Sequence, residues 1–235
     1  MFHRRYPEKR IKVYHLRKEY MKAKIRKKKI RRTKVISATK EQQRLEEAVE
    51  AYSSLEQHKA EGHRILYLDE VMTTKSTLPM FEWSVLNHHM KIDLNQFSGQ
   101  TTATVAVISE KHGVDMIMNF EKSVNADKFV EFLTRLRQKY PFEKLALFMD
   151  RLMVHRSKKV TRKMMELKLP RILNASYSPN FNPIETIFSV FKGGIKKKRL
   201  QLLYQGEQED LDIIIKQQFG QIEKEMCVKV IKKSN

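Results

Sequence analysis

The sequence is poor in the residues that several function classes need. Among 235 residues there is one cysteine, Cys227, which excludes a disulfide framework and every zinc module built on cysteine ligands. A lone thiol also fits a reducing compartment. Seven glycines fall well below the usual ~7%, and none stands in a G-x-G-x-x-G or G-x-x-x-x-G-K-[ST] setting, so nucleotide-cradling loops are disfavoured. No apolar run approaches ~18 residues, and no apolar stretch follows the basic N-terminus, so neither a membrane span nor a secretory signal is expected.

Positive charge, by contrast, is abundant. Lys and Arg number 47 against 27 Asp and Glu, a formal +20, and residues 1–34 alone hold 16 basic side chains against Glu8 and Glu19, or +14. Such a single-sign field suits phosphate neutralisation. Nucleic acid is therefore the leading partner, with Lys27, Lys28, Lys29, Arg31 and Arg32 as contacts. Read otherwise, residues 24–34 (KIRKKKIRRTK) form a solvated charge run or a nuclear-import signal. A hydrophobic share of 41% is enough to build a core, and the length suits one domain plus a small attachment.

Beyond the arm, apolar spacing predicts a helix over residues 39–62 ended by glycine, then a buried strand over 65–68 that terminates in Asp69 and Glu70. Residues 101–109 and 114–120 read as two strands joined by a loop of hairpin length. Asn125 caps a helix whose stripe is Phe129, Phe132, Leu133 and Leu136; a strand at 145–149 then ends in Asp150. A basic helix over 157–167 and a short strand at 171–173 follow. Three meandering strands that give way to helical crossovers imply an α/β fold, a mixed sheet with helices on its faces.

Ligands gather at the carboxyl edge of such sheets, so two acids placed directly after apolar strands are read together. Asp69 and Asp150 are the pair, and because side chains alternate along a strand, only one of Asp69 and Glu70 can face a common site. A third acid lies in residues 176–192, SYSPNFNPIETIFSVFK: Asn182 and Pro183 begin a helix and Glu185 falls at its third position. Glu185 there is either the closing member of a capping box or a ligand. Ile184, Ile187, Phe188, Phe191 and Ile195 form the docking stripe, whereas Glu185, Ser189, Lys192 and Lys196 share another face, suited to a metal beside a phosphate backbone. Residues 196–199 extend that basic surface, and Met149, Met153, Met164 and Met165 read as core filling. His88 and His89 read as solvated loop residues, and His155 either positions a group near Asp150 or merely starts a helix.

Leu68-Asp69-Glu70 on a strand, a second strand ending in Asp150, and SPNFNPIE ending in Glu185 with 34 residues between the last two acids resemble the catalytic domain of Tc/mariner-superfamily DDE transposases. Trp83, the stretch FVEFL at 129–133, and His155 are weaker points of likeness. The helix ahead of Asp69 is also similar to that of bacterial insertion-sequence and ciliate-element transposases. The resemblance implies a ribonuclease H-like fold over residues 39–205, with residues 1–38 as a DNA-binding arm and 206–235 as a helical tail. It implies two Mg²⁺ or Mn²⁺ ions, with Asp69 bridging them and Asp150 and Glu185 each holding one. It also implies that the protein cuts and rejoins double-stranded DNA at transposon ends, as a homodimer or higher oligomer. Two departures stand out: Arg151 replaces the asparagine usual after the second Asp, and the arm is too short for paired helix-turn-helix units. They motivate a second reading, a non-catalytic transposase-derived DNA-binding protein. A third, a basic nuclear scaffold, requires the three acids to lie far apart.

Overall fold

The computed structural model describes residues 12–24, 37–74, 77–79, 101–176 and 178–234. Trp83, His88, His89 and the arm residues Lys27, Lys28, Lys29, Arg31 and Arg32 lie outside them. The chain divides into two units, residues 1–37 and 38–235. In the first, α1 (Val13–Lys22) is a basic helix with Tyr14, Tyr20 and Met21 exposed.

The second unit is built on a five-stranded sheet. After α2 (Ala38–Ala60) come β1 (Arg64–Thr73), β2 (Thr102–Ser109), β3 (Gly113–Glu121), α3 (Ala126–Lys139), β4 (Leu145–Met149), α4 (Lys158–Glu166), β5 (Arg171–Leu173) and three helices, α5 (Ile184–Gln205), α6 (Leu211–Gly220) and α7 (Lys224–Ser234). The spatial order is β3-β2-β1-β4-β5, antiparallel across β1, β2 and β3 and parallel across β1, β4 and β5. This is the mixed sheet expected from the sequence, in the ribonuclease H-like arrangement.

Alternation along β1 divides its side chains between two cores. Leu66 and Leu68 join Phe129, Phe132, Leu133 and Leu136 of α3 and Val160 and Met164 of α4. Ile65, Tyr67 and Val71 face the opposite way, against Ile184, Ile187, Phe188, Phe191 and Ile195 of α5, backed by Ile214 and Phe219 of α6 and Ile231 of α7. The α5 stripe read from the sequence is thus the docking face. Asp69 falls in register with Tyr67 and Val71 on the α5 side, and Glu70 on the α3 and α4 side.

Three expectations need correction. Strand β1 does not stop at residue 68 but runs to Thr73, because β2 continues as its antiparallel partner through Thr73↔Thr102 while the pairing with β4 ends at Tyr67↔Phe148. Met149 and Met164 are core residues, whereas Met153 and Met165 are 86% and 74% exposed. Arg199 leaves the basic surface: it is buried, with Nη1 donating to the Thr74 carbonyl at 2.6 Å, because its position on α5 carries it under the end of β1. At the β2–β3 turn, Gly113 has φ +74° and a Cβ there would lie 2.8 Å from Lys224 Cα, so α7 can approach only over glycine.

Candidate active site

Asp69, Asp150 and Glu185 line one cleft of about 450 Å³, together with Arg151, Asn174, Ser176, Ser178 and Asn182. The fold brings them together by three separate routes. Asp69 projects from β1 at the point where β4 has ended and no longer covers that edge. Asp150 follows the last residue of β4, and Glu185 lies in the first turn of α5. The packing of the α5 stripe against the Tyr67 face of β1 presents that first turn to Asp69.

The local chemistry leaves the acids poorly compensated. Burial pushes the Asp69 carboxyl up to about 7, and the nearby charges of Asp150, Glu185 and Glu70 push in the same direction, outweighing a hydrogen bond from the Glu70 amide at 2.8 Å. Asn182 Nδ2 donates to the Leu68 carbonyl at 3.2 Å and lies 3.4 Å from Asp69 Oδ2. Asn182 therefore does not cap α5: no side-chain capping bond forms there, and its Oδ1 is buried without a partner. The capping-box reading of Glu185 requires reciprocal bonds that are not made, and Glu185 remains exposed at the mouth of the cleft.

Asp150 is held from behind. Its Oδ1 accepts from the Leu152 amide at 3.1 Å and from His155 Nδ1 at 2.8 Å, and the opposite ring nitrogen, Nε2, donates to Glu70 Oε1 at 3.0 Å. His155 is wholly buried against the Phe129 ring. Burial alone would lower its pKa, but the hydrogen bonds and charges of Asp150 and Glu70 raise it to about 9, so it is an imidazolium donating from both nitrogens. Glu70, the acid that alternation turns away from the cleft, thereby acts on it through His155. The two adjacent acids of β1 were legible; the bridge between them was not, because 85 residues separate Glu70 from His155.

Arg151 lines the cleft but is engaged elsewhere. Its Nε donates to the Asn174 carbonyl at 2.9 Å and lies 3.6 Å from Glu47 Oε2, while Nη2 lies 3.6 Å from Glu50, both acids on α2. Lys192 is exposed and Lys196 half-buried on α5. A second open groove of about 920 Å³ starts at Glu185 and Ser189 and continues along Lys229 and Lys233 of α7. Sequence reasoning missed these two lysines, which no motif marks.

Three carboxylates with, among the described residues, no sulfur or imidazole donor lining the cleft suit a hard divalent cation with oxygen ligands. The partnerless Asn182 Oδ1 beside them fits the same polar content.

A family model described as DDE superfamily endonuclease matches residues 64–203. Among solved structures, the Mos1 mariner paired end complex with Mn aligns at a TM-score of 0.64 and 15% identity, over 95% of this chain and 68% of that one. The paired end complex with Mg aligns at 0.63 and 14%, over 94% and 66%. The catalytic domain of Mos1 mariner transposase aligns at 0.56 and 14%, over 86% and 92%. No curated protein sequence matches. The chain belongs to the DDE superfamily endonucleases and carries the fold of the Mos1 mariner transposase catalytic domain.

Proposed function

We propose that the protein is a divalent-metal-dependent DNA transposase whose site residues are Asp69, Asp150 and Glu185. The observation that carries this reading is the convergence of three carboxylates on one cleft, where burial first, and then the charges of Asp150 and Glu185, push the Asp69 carboxyl up to about 7. A cluster that repels itself in this way is suited to cations. Two Mg²⁺ or Mn²⁺ ions bound there would polarise the scissile phosphate, generate the attacking oxygen nucleophile and stabilise the leaving oxygen.

The chain's own residues do the rest. Asp69, Asp150 and Glu185 supply the oxygen ligands, and His155 fixes the orientation of Asp150 by occupying its Oδ1. Asn182 holds the start of α5 against β1 and so keeps Glu185 opposite Asp69. The positive end of the α5 dipole faces the same cleft and favours a phosphate there. Lys192 and Lys196 follow Glu185 at seven and eleven residues on one helix face, about 10 and 16 Å along the axis. With Lys229 and Lys233 they give the backbone of double-stranded DNA a basic path away from the site. The basic arm adds affinity, and assembly on paired transposon ends as a dimer or higher oligomer follows the same reading. A nuclear location, if the source is eukaryotic, accords with the basic run at residues 24–34.

The test is nicking of DNA carrying the element's ends in Mg²⁺ or Mn²⁺. The wild-type chain should cut, and Asp150→Ala and Glu185→Ala should bind DNA without cutting. Undiminished cutting by either variant removes that residue from the site. A wild-type chain that binds in EDTA and never cuts under any metal is instead a transposase-derived binding protein.

A further inference from the structure

We infer that the junction of α2 and β1 holds a second metal site, unrelated to the DNA-cutting cleft, in which His58, Glu61 and His63 bind one borderline transition-metal ion such as Zn²⁺. His58 Nδ1 and His63 Nδ1 lie 3.4 and 3.6 Å from the same oxygen, Glu61 Oε2, and the three residues each offer a ligand atom within 4.8 Å of the others. A tetrahedral ion with bonds of about 2.0–2.1 Å needs ligand atoms roughly 3.3 Å apart. Two of the three edges are already near that length.

The backbone explains why the residues meet. Gly62, at φ +78°, turns the chain at the end of α2; the His63 amide then bonds the His58 carbonyl at 2.9 Å and the Gly62 amide bonds the Lys59 carbonyl at 3.0 Å. This is the Schellman arrangement, in which the residues at the positions of His58 and His63 usually make a hydrophobic contact across the cap. Here both are imidazoles, with ring centroids 4.8 Å apart.

The donor atoms have the character of a ligand set. Both Nδ1 atoms are buried and, among the described residues, neither makes a hydrogen bond of good geometry beyond its long contact with Glu61, a poorly satisfied state for a polar atom unless something else takes the lone pair. Glu61 is oriented as a ligand carboxylate commonly is: Gln57 Nε2 donates to its Oε1 at 2.9 Å, leaving Oε2 for the two rings. Its side chain is 45% exposed, which gives an ion a way in from solvent and leaves room for a water as fourth ligand. Two nitrogens and one carboxylate oxygen match zinc, cobalt, nickel or copper, whereas the all-oxygen cleft matches magnesium or manganese. Lys144 donates to the Glu61 backbone carbonyl at 3.4 Å. An ion here would pin α2 to the start of β1, the strand that carries Asp69.

The test titrates the chelator-stripped full chain with Co²⁺ in excess Mg²⁺, reading visible absorption. One equivalent should give the intense bands of four-coordinate cobalt, abolished by one equivalent of Zn²⁺. Asp150→Ala should leave them unchanged. His58→Ala and His63→Ala should weaken binding at least tenfold, and Glu61→Gln, a change at an exposed position that leaves the fold intact, should do so too. Zn²⁺ at a hundredfold excess over its Kd should raise the melting temperature by roughly 5 °C in the wild type and in Asp150→Ala alike. Absence of four-coordinate bands in the wild type overturns the site and leaves Glu61 simply paired with protonated histidines. Bands lost in Asp150→Ala but kept in His63→Ala overturn it in favour of the DNA-cutting cleft.

Discussion

The start and the middle of β1 treat acid in opposite ways. At its start, Arg64 reaches back to Asp115, whose side chain is fully buried, and to Glu143 at 2.8 Å; Tyr140 donates to the same Asp115 oxygen at 2.9 Å and its ring lies under the guanidinium. Five residues on, about 16 Å along the strand, Asp69 has three other carboxylates as its charged neighbours. One acid is neutralised within the chain; the other awaits charge from outside. A protein that wanted only stability would treat both like Asp115. The contrast therefore separates a structural ion pair from a cluster of like charges, although a single sheet carries both the buried Asp115 and the half-buried Asp69.

The sharpest way to break that contrast is to neutralise each acid. Asp69→Asn should cost at least about a thousandfold in metal-dependent nicking, since several kcal/mol of charge stabilisation depend on the ions it holds, while the metal-free protein melts no lower than wild type. Asp115→Ala should do the reverse, destabilising by about 3–5 kcal/mol because it strands Arg64 without its buried partner. Melting curves and nicking rates on the same two proteins decide. If Asp69→Asn unfolds the chain, or Asp115→Ala leaves its stability unchanged, the two acids are not different in kind.

The pH dependence sharpens the comparison further. The Asp69 carboxyl is raised from its ordinary 3.8 to about 7, so the stability it contributes is present in full below pH 4 and is lost as pH rises through 7. His155, raised to about 9, contributes stability that is complete below 6.5 and is lost as pH rises through 9. In the absence of metal the protein should therefore weaken steadily from pH 4 to 9. On the proposed function a divalent ion would bind the ionised form of Asp69, so Mg²⁺ should raise the melting temperature by several degrees at pH 8 and very little at pH 5. Calorimetry at the two pH values is the measurement; an equal gain at both would mean that the ion does not bind at Asp69.

The sequence reading reached one side of this comparison and not the other. The acids of the cleft were legible because each stands at a recognisable boundary: Asp69 at the end of a run of apolar residues, Asp150 directly after LALFM, Glu185 after Pro183. The stripe of α5 was legible for the same reason, since helical spacing shows which face is apolar. Arg64, Asp115, Tyr140 and Glu143 were invisible, because their pairing depends on strand register and helix packing that no local pattern encodes. Asn182 was read as a cap, the commonest role for asparagine before proline at a helix start. Tertiary packing overrode that preference by turning its amide toward Leu68 and Asp69.

Arg151 gives the smallest expected effect and the finest test, because among the described residues it is the one basic side chain lining the cleft of acids. From the sequence it is a bulky cation beside a ligand, and a charge acting on the triad would lower the affinity for divalent ions. Its geometry argues for a different role. The guanidinium bonds the Asn174 carbonyl and lies between Glu47 and Glu50, so its charge is already committed to α2. Two ion pairs at 3.6 Å, one of them to the largely exposed Glu50, contribute about 0–1 kcal/mol. Arg151→Asn, which installs the side chain usual in Tc/mariner relatives, should thus lower the melting temperature by at most about 3 °C and change the Mg²⁺ dependence of nicking by less than about threefold. A gain of tenfold or more in metal affinity would mean that the arginine charge reaches the carboxylates after all, as the Arg64 charge reaches Asp115.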